Sequence, residues 1–68
     1  MKLSARNILD GTITAVEVGQ VTTHVKLDIG GATITASITN EAAADLGLKV
    51  GEKACAVIKS SDVIIGIA

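Results

Sequence analysis

Phenylalanine, tyrosine and tryptophan are all missing from the 68 residues, and cysteine and histidine occur once each, as Cys55 and His24. One thiol cannot form an internal disulfide, and one thiol with one imidazole falls short of an ordinary zinc ligand set, so no protein side chains are expected as direct metal ligands. A lone imidazole leaves nothing from which to build a nucleophile, base and carboxylate relay, so an enzyme is not expected and no catalytic residues are assigned. Glycine-rich phosphate loops are absent too, because Gly30-Gly31 lies between two apolar stretches and does not open a helix. No run approaches the roughly 18 apolar residues of a membrane span, and the start, Met1-Lys2-Leu3-Ser4-Ala5-Arg6-Asn7, has no continuous apolar core of a signal peptide. The expected location is the cytoplasm. Six basic and seven acidic residues leave a formal net charge of −1 with no block of one sign, which gives neither a polyanion nor a membrane surface an electrostatic footprint to bind.

What is present is aliphatic. Hydrophobic residues make up 49% of the chain, all of them Val, Ile, Leu, Ala, Met and Cys. A single domain covering residues 1–68 buries only about 60% of the surface its unfolded chain exposes, so its own core is thin. With disulfides and metals excluded, self-association is the remaining supplement. Cys55, inside Ala54-Cys55-Ala56-Val57-Ile58, is expected to be a buried structural residue.

Period-two alternation identifies five short strands. The first is expected over Ser4 to Val18 with a kink at Gly11, and Gly19-Gln20 closes it. The second runs from Val21 to Ile29, with Val21, Val25, Leu27 and Ile29 on one face and His24, Lys26 and Asp28 on the other. Gly30-Gly31 then forms a two-residue hairpin turn, since glycine accepts the positive φ such turns need. A third strand spans Ala32 to Thr39 and alternates Ile34, Ala36 and Ile38 against Thr33, Thr35, Ser37 and Thr39. A short helix follows from Asn40 to Leu46, capped by Thr39 or Asn40 and ended by Gly47. Strands resume over Lys53 to Lys59 and Val63 to Ile67. This order, β-β-β-α-β-β, is that of an all-β, OB-like five-stranded Greek-key barrel with one short helix between strands 3 and 4. The last two strands are apolar on both faces, which suggests that another copy of the chain covers the outer one.

Two polar segments at strand ends stand out. Ser4-Ala5-Arg6-Asn7 carries a hydroxyl, a guanidinium and an amide; Lys59-Ser60-Ser61 carries an ammonium, two hydroxyls and backbone N–H groups. Almost all of these groups donate hydrogen bonds, as a small oxyanion requires. On the residues alone, an ordinary polar strand start and an ordinary turn are the preferred reading. Glu17, Asp28, Glu41, Asp45, Glu52 and Asp62 are scattered and read as solvated surface.

These same segments, with Gly11, the Gly30-Gly31 turn and the stretch Leu46-Gly47-Leu48-Lys49-Val50-Gly51, resemble the molbindin (Mop) family nearly end to end. The resemblance implies an OB-like barrel that exchanges its first strand with a neighbour. It also implies a homo-oligomer, a hexamer built as a trimer of dimers, with molybdate or tungstate as bound ligand and no further cofactor. The implied pocket between two subunits takes Ser4, Ala5, Arg6, Thr39, Lys59 and Ser60. A second implied pocket, on a threefold axis, takes Val21, Thr22, Thr23 and His24. Neither the helix-turn-helix of the family's transcription regulators nor the P-loop of its importer ATPases is present, so storage or homeostasis of molybdate in the cytoplasm is the implied role. The alternatives are single-stranded nucleic-acid binding by an OB barrel, disfavoured by the missing aromatic platforms, and a purely structural oligomerisation module.

Overall fold

β-Branched residues in alternation with polar ones produce four strands in the computed structural model, which describes residues 2–68. They are β1 (Asn7–Val18), β2 (Thr22–Asp28), β3 (Thr33–Thr39) and β4 (Lys53–Ile58), with the helix α1 (Asn40–Leu46) between β3 and β4. All pairings are antiparallel and the spatial order is β3-β2-β1-β4. Three strands joined in succession, with a fourth returning by a long connection to lie beside the first, form a Greek key. The expected all-β class, Greek-key connectivity and single helix are therefore present, in a sheet of four strands.

β1 organises the sheet because it is long enough to serve two partners. Asn7 to Thr12 pair with β4, and Thr12 to Val18 pair with β2. The register against β2 shifts between Ile13 and Ala15, so Thr14 is the extra residue of a bulge, and bulges bend and twist a strand. Gly11 sits at the handover. A Cβ there would lie 2.4 Å from the Asp28 carbonyl oxygen and 2.9 Å from Leu27 Cγ, so only glycine lets β2 end this close to β1. The expected two-residue turn is formed at Gly30 and Gly31, both with φ of 92°, and the Ile29 N–H donates to the Ala32 carbonyl at 3.0 Å.

Residues of α1 are set by their caps. The Thr39 hydroxyl accepts from the Ala42 N–H at 3.0 Å, and Gly47, left-handed at φ 61°, donates its N–H to the carbonyls of Ala43 and Ala44. The core is small: Ile13, Val25 and Leu27 are the buried apolar residues, with Val16, Ile29, Ile34, Ile38, Leu48, Ala54 and Ala56 packed around them. In β2 the buried face is Thr23, Val25 and Leu27. Val21, expected on that face, is exposed instead, because it belongs to the turn that precedes the strand and Thr23 takes the inward position.

Two further expectations are corrected. Val63 to Ile67 is not a fifth strand: after β4 the chain makes a 3-10 turn over Ser60–Asp62, and the residues beyond it pair with nothing in their own chain. Ile64, Ile65 and Ile67 are 93%, 83% and 96% exposed. The sheet therefore stays open, with β3 and β4 as its unpaired edges. β1, the strand expected to be exchanged with a neighbour, is bonded on both sides within its own chain. Cys55 is exposed, not buried, because the inward positions of β4 are taken by Ala54 and Ala56.

The consequence is an unusually open single chain. Its accessible surface is 5249 Å², where a folded monomer of this mass is expected to expose about 4,000 Å². Its radius of gyration is 12.7 Å, against about 11 Å for a compact domain of this length.

Candidate functional site

The β1–β4 ladder begins where Asn7 faces Ile58. There the Asn7 side-chain amide donates from Nδ2 to the Ile58 carbonyl oxygen at 3.2 Å. This bond ties the start of β1 to the end of β4, so Ser4–Arg6 and Lys59–Ser60 leave the sheet at the same end. Ser4, Arg6, Lys59 and Ser60 are exposed and Ala5 is half-buried. The 3-10 turn uses the carbonyls of Lys59 and Ser60, which accept from Asp62 N–H at 2.9 Å and Val63 N–H at 3.3 Å. Among the described residues, the N–H groups of Ser60 and Ser61, the Arg6 guanidinium and the Lys59 ammonium have no hydrogen-bond partner. One end of the sheet thus presents two cations, three hydroxyls and free amides from Ser4 to Asn7 and Lys59 to Ser61, with Asp62 the acidic residue of the same turn. Such a surface can hold an anion through charge-assisted hydrogen bonds. Among the described residues no three His, Cys, Asp or Glu side chains converge as a metal cluster.

Thr39 is not at this end. It pairs with Thr22 at the far end of the sheet, where β1 finishes at Val18. Val21, Thr22 and His24 are exposed beside it, and Glu17, Val18, Gly19, Thr22 and His24 line a shallow depression. Glu17 faces His24 across the β1–β2 ladder, which places a carboxylate next to that depression. Thr23 differs from its neighbours: it is 0% exposed, and its hydroxyl donates to Asn40 Oδ1 at 2.7 Å. The same Asn40 donates from Nδ2 to the Gly19 carbonyl at 2.9 Å and from its backbone N–H to the Val21 carbonyl at 3.0 Å.

The sequence-based residues therefore fall into two groups at opposite ends of β1. Ser4, Ala5, Arg6, Lys59 and Ser60 are together. Thr39 joins Val21, Thr22, Thr23 and His24. Asn7 and Asn40 were not singled out as site residues. In the sequence Asn7 is visible only as part of the Ser-Ala-Arg-Asn segment, and Asn40 only as an alternative helix cap.

Residues 3–65 match the TOBE domain family. A probable molybdenum-pterin-binding protein of Haemophilus influenzae is 43% identical over 68 residues, covering 98% of this chain and 99% of its own. A molybdate-binding protein from Sporomusa ovata superposes with a TM-score of 0.94 at 33% identity, over 98% of this chain and 100% of its own. The cytoplasmic molybdate-binding protein ModG, with molybdate bound, superposes with a TM-score of 0.93 at 51% identity, over the whole of this chain and 49% of its own.

Proposed function

The chain belongs to the TOBE domain family, among its molbindins, and on that footing we propose that it binds molybdate in pockets completed between copies of itself. TOBE domains of this kind bind ligand and carry out no reaction. The observation that carries the reading is the Asn7–Ile58 bond, which gathers Ser4, Ala5, Arg6, Lys59 and Ser60 at one end of the sheet. Molybdate is a tetrahedral dianion, and two cations with several neutral donors match its charge and its four acceptor oxygens. Selectivity over smaller tetrahedral ions then rests on how widely the donors are spaced.

One copy cannot supply the whole set. Thr39 lies at the other end of the sheet from Arg6 and Lys59, so a pocket that uses all of them sets the Arg6 end of one copy against the Thr39 end of another. A twofold pair contains two such pockets. Assembly is supported independently by the open β3 and β4 edges, by the fully exposed isoleucines after Asp62, and by the surface in excess of a monomer's expectation. In this reading the segment from Val63 to Ile67 of a second copy closes the gap between those edges, over the cavity lined by Ile13, Val25, Leu27, Ala36, Ile38 and Leu48. A hexamer, as a trimer of dimers, would add a second class of pocket from Val21, Thr22 and His24. Thr23 enters that pocket only through its backbone, because its hydroxyl is committed to Asn40. Tungstate, of the same charge and shape, is the second ligand of this reading, and storage of molybdate in the cytoplasm is its physiological role. Nucleic acid and membranes have no part in it.

Isothermal titration with molybdate tests the pocket. Binding by the wild type that is weakened in Arg6→Ala and in Lys59→Ala supports the assignment, and equal affinity in all three rejects it. A wild type with no affinity for molybdate would leave only the oligomerisation module.

A further inference from the structure

Asn40 makes three hydrogen bonds, two through its side chain and one through its backbone, and each of them ends on the strip of chain beside Thr39. Its Oδ1 accepts from the buried Thr23 hydroxyl at 2.7 Å, its Nδ2 donates to the Gly19 carbonyl at 2.9 Å, and its backbone N–H donates to the Val21 carbonyl at 3.0 Å. We infer that Asn40 is a positioning residue for the oxyanion pocket: it holds the β1–β2 hairpin tip against the start of α1 and so fixes where Thr39 and Thr22 present their hydroxyls. The inference rests on the proposed molybdate pocket and goes beyond it by naming a residue that touches no ligand.

The chemistry requires an amide. Asn40 must donate and accept at once, and among side chains that short only asparagine carries both a fixed NH₂ and a fixed carbonyl. Aspartate could still accept from Thr23, but its second oxygen would face the Gly19 carbonyl with no proton between them. Without the side-chain amide the tip keeps two backbone bonds, Asn40 N–H to the Val21 carbonyl at 3.0 Å and Gly19 N–H to the Thr22 carbonyl at 2.8 Å, and neither of them holds Thr23 or the Gly19 carbonyl against α1. Val18 and Val21, on either side of the tip, are exposed in the single chain and give it no packing of their own. Thr39 immediately precedes Asn40 and pairs with Thr22, so releasing the tip moves both hydroxyls relative to the helix that Thr39 caps.

The test uses full-length wild type, Asn40→Asp, Thr23→Val and Thr23→Ser, each followed by gel filtration, thermal unfolding with and without millimolar sodium molybdate, and titration calorimetry. Because ligand binding raises the unfolding midpoint by mass action, the molybdate-induced increment reports the pocket separately from the midpoint of the free protein. The expected result is assembly as in wild type, with affinity for molybdate reduced about fivefold in Asn40→Asp and Thr23→Val, the scale of one lost hydrogen bond, and restored in Thr23→Ser. A lowered free-protein midpoint with an unchanged molybdate increment and affinity would make Asn40 purely structural and overturn the inference. Loss of assembly in Asn40→Asp would overturn it equally, because the tip would then be a subunit contact. If wild type shows no response to molybdate, the proposed function fails and takes the inference with it; if wild type responds and the variants match it, only the inference fails.

Discussion

The Asn7 amide and the Ile58 carbonyl, 51 positions apart in sequence, meet at 3.2 Å and close the ladder between the first and last strands of the sheet. Everything assigned to the Arg6 end depends on that closure, because Ser4–Arg6 and Lys59–Ser60 are the residues that continue outward from it. Asn7→Ala removes one side-chain hydrogen bond and should destabilise the protein by about 1 kcal/mol. It should also loosen molybdate binding, since the two donor segments would no longer share one anchor. Urea unfolding gives the first quantity and calorimetric titration the second.

Arg6→Ala and Lys59→Ala should act on binding with little effect on folding. Both side chains are exposed and, among the described residues, have no hydrogen-bond partner, so their removal takes no packing from the core. Charge-assisted hydrogen bonds contribute more than neutral ones, and loss of either cation should weaken molybdate binding by roughly 10- to 100-fold. Circular dichroism and urea midpoints should stay at wild-type values.

Much of this architecture is legible from residue order, because local chemistry and tertiary demand agree. The alternation in Thr22–Asp28, the Gly30-Gly31 turn and the Thr39 and Gly47 caps each specify an element by themselves, and each is where the pattern places it. Val63 to Ile67 is the opposite case. Its pattern is that of a strand, yet a strand requires an edge to pair with, and the 3-10 turn after β4 carries the segment away from its own sheet. Cys55 and Val21 misled for a related reason. An apolar residue in an apolar run is equally consistent with facing the core or facing a surface that a second copy would cover. The site was legible as two donor-rich segments but not as a geometry. Alternation does not reveal that Thr39 and Arg6 lie at opposite ends of β1, nor that Asn40 reaches back across the β1–β2 turn.

Gly11→Ala should be among the most damaging single substitutions in the chain. The added methyl would meet a backbone carbonyl, that of Asp28, at 2.4 Å, and backbone cannot move aside as a flexible side chain can. Overpacking of this kind costs about 1–3 kcal/mol even where side chains can adjust, so a loss of about 2 kcal/mol or more is expected in urea unfolding.

Thr39 combines two roles that substitution can separate. As helix cap its hydroxyl accepts from the Ala42 N–H at 3.0 Å, and an accepting hydroxyl still has its own proton to donate to an anion. Thr39→Ala should therefore cost about 1 kcal/mol of stability through the lost cap and weaken molybdate binding as well. Thr39→Asp retains a capping oxygen but brings a negative charge toward the dianion. It should keep the thermal midpoint of the free protein near wild type and abolish the rise produced by molybdate; an undiminished rise would remove Thr39 from the pocket.

Removing residues 63–68 should separate folding from assembly most directly. In a single chain these residues contribute almost nothing: Ile64, Ile65 and Ile67 are 93%, 83% and 96% exposed, and none pairs with another strand. Were the protein a monomer, truncation after Asp62 would leave its stability unchanged and improve its solubility by removing exposed isoleucines. If the segment instead closes the β3–β4 gap of a second copy, three isoleucine side chains pass from water to an apolar environment, each worth about 1.5–3 kcal/mol when fully buried. The truncated chain should then run at its monomer mass in gel filtration with light scattering and lose cooperative unfolding. It should also fail to bind molybdate although Ser4, Arg6, Thr39, Lys59 and Ser60 are all intact. An oligomer of unchanged size with unchanged molybdate affinity would show that the copies are held together elsewhere.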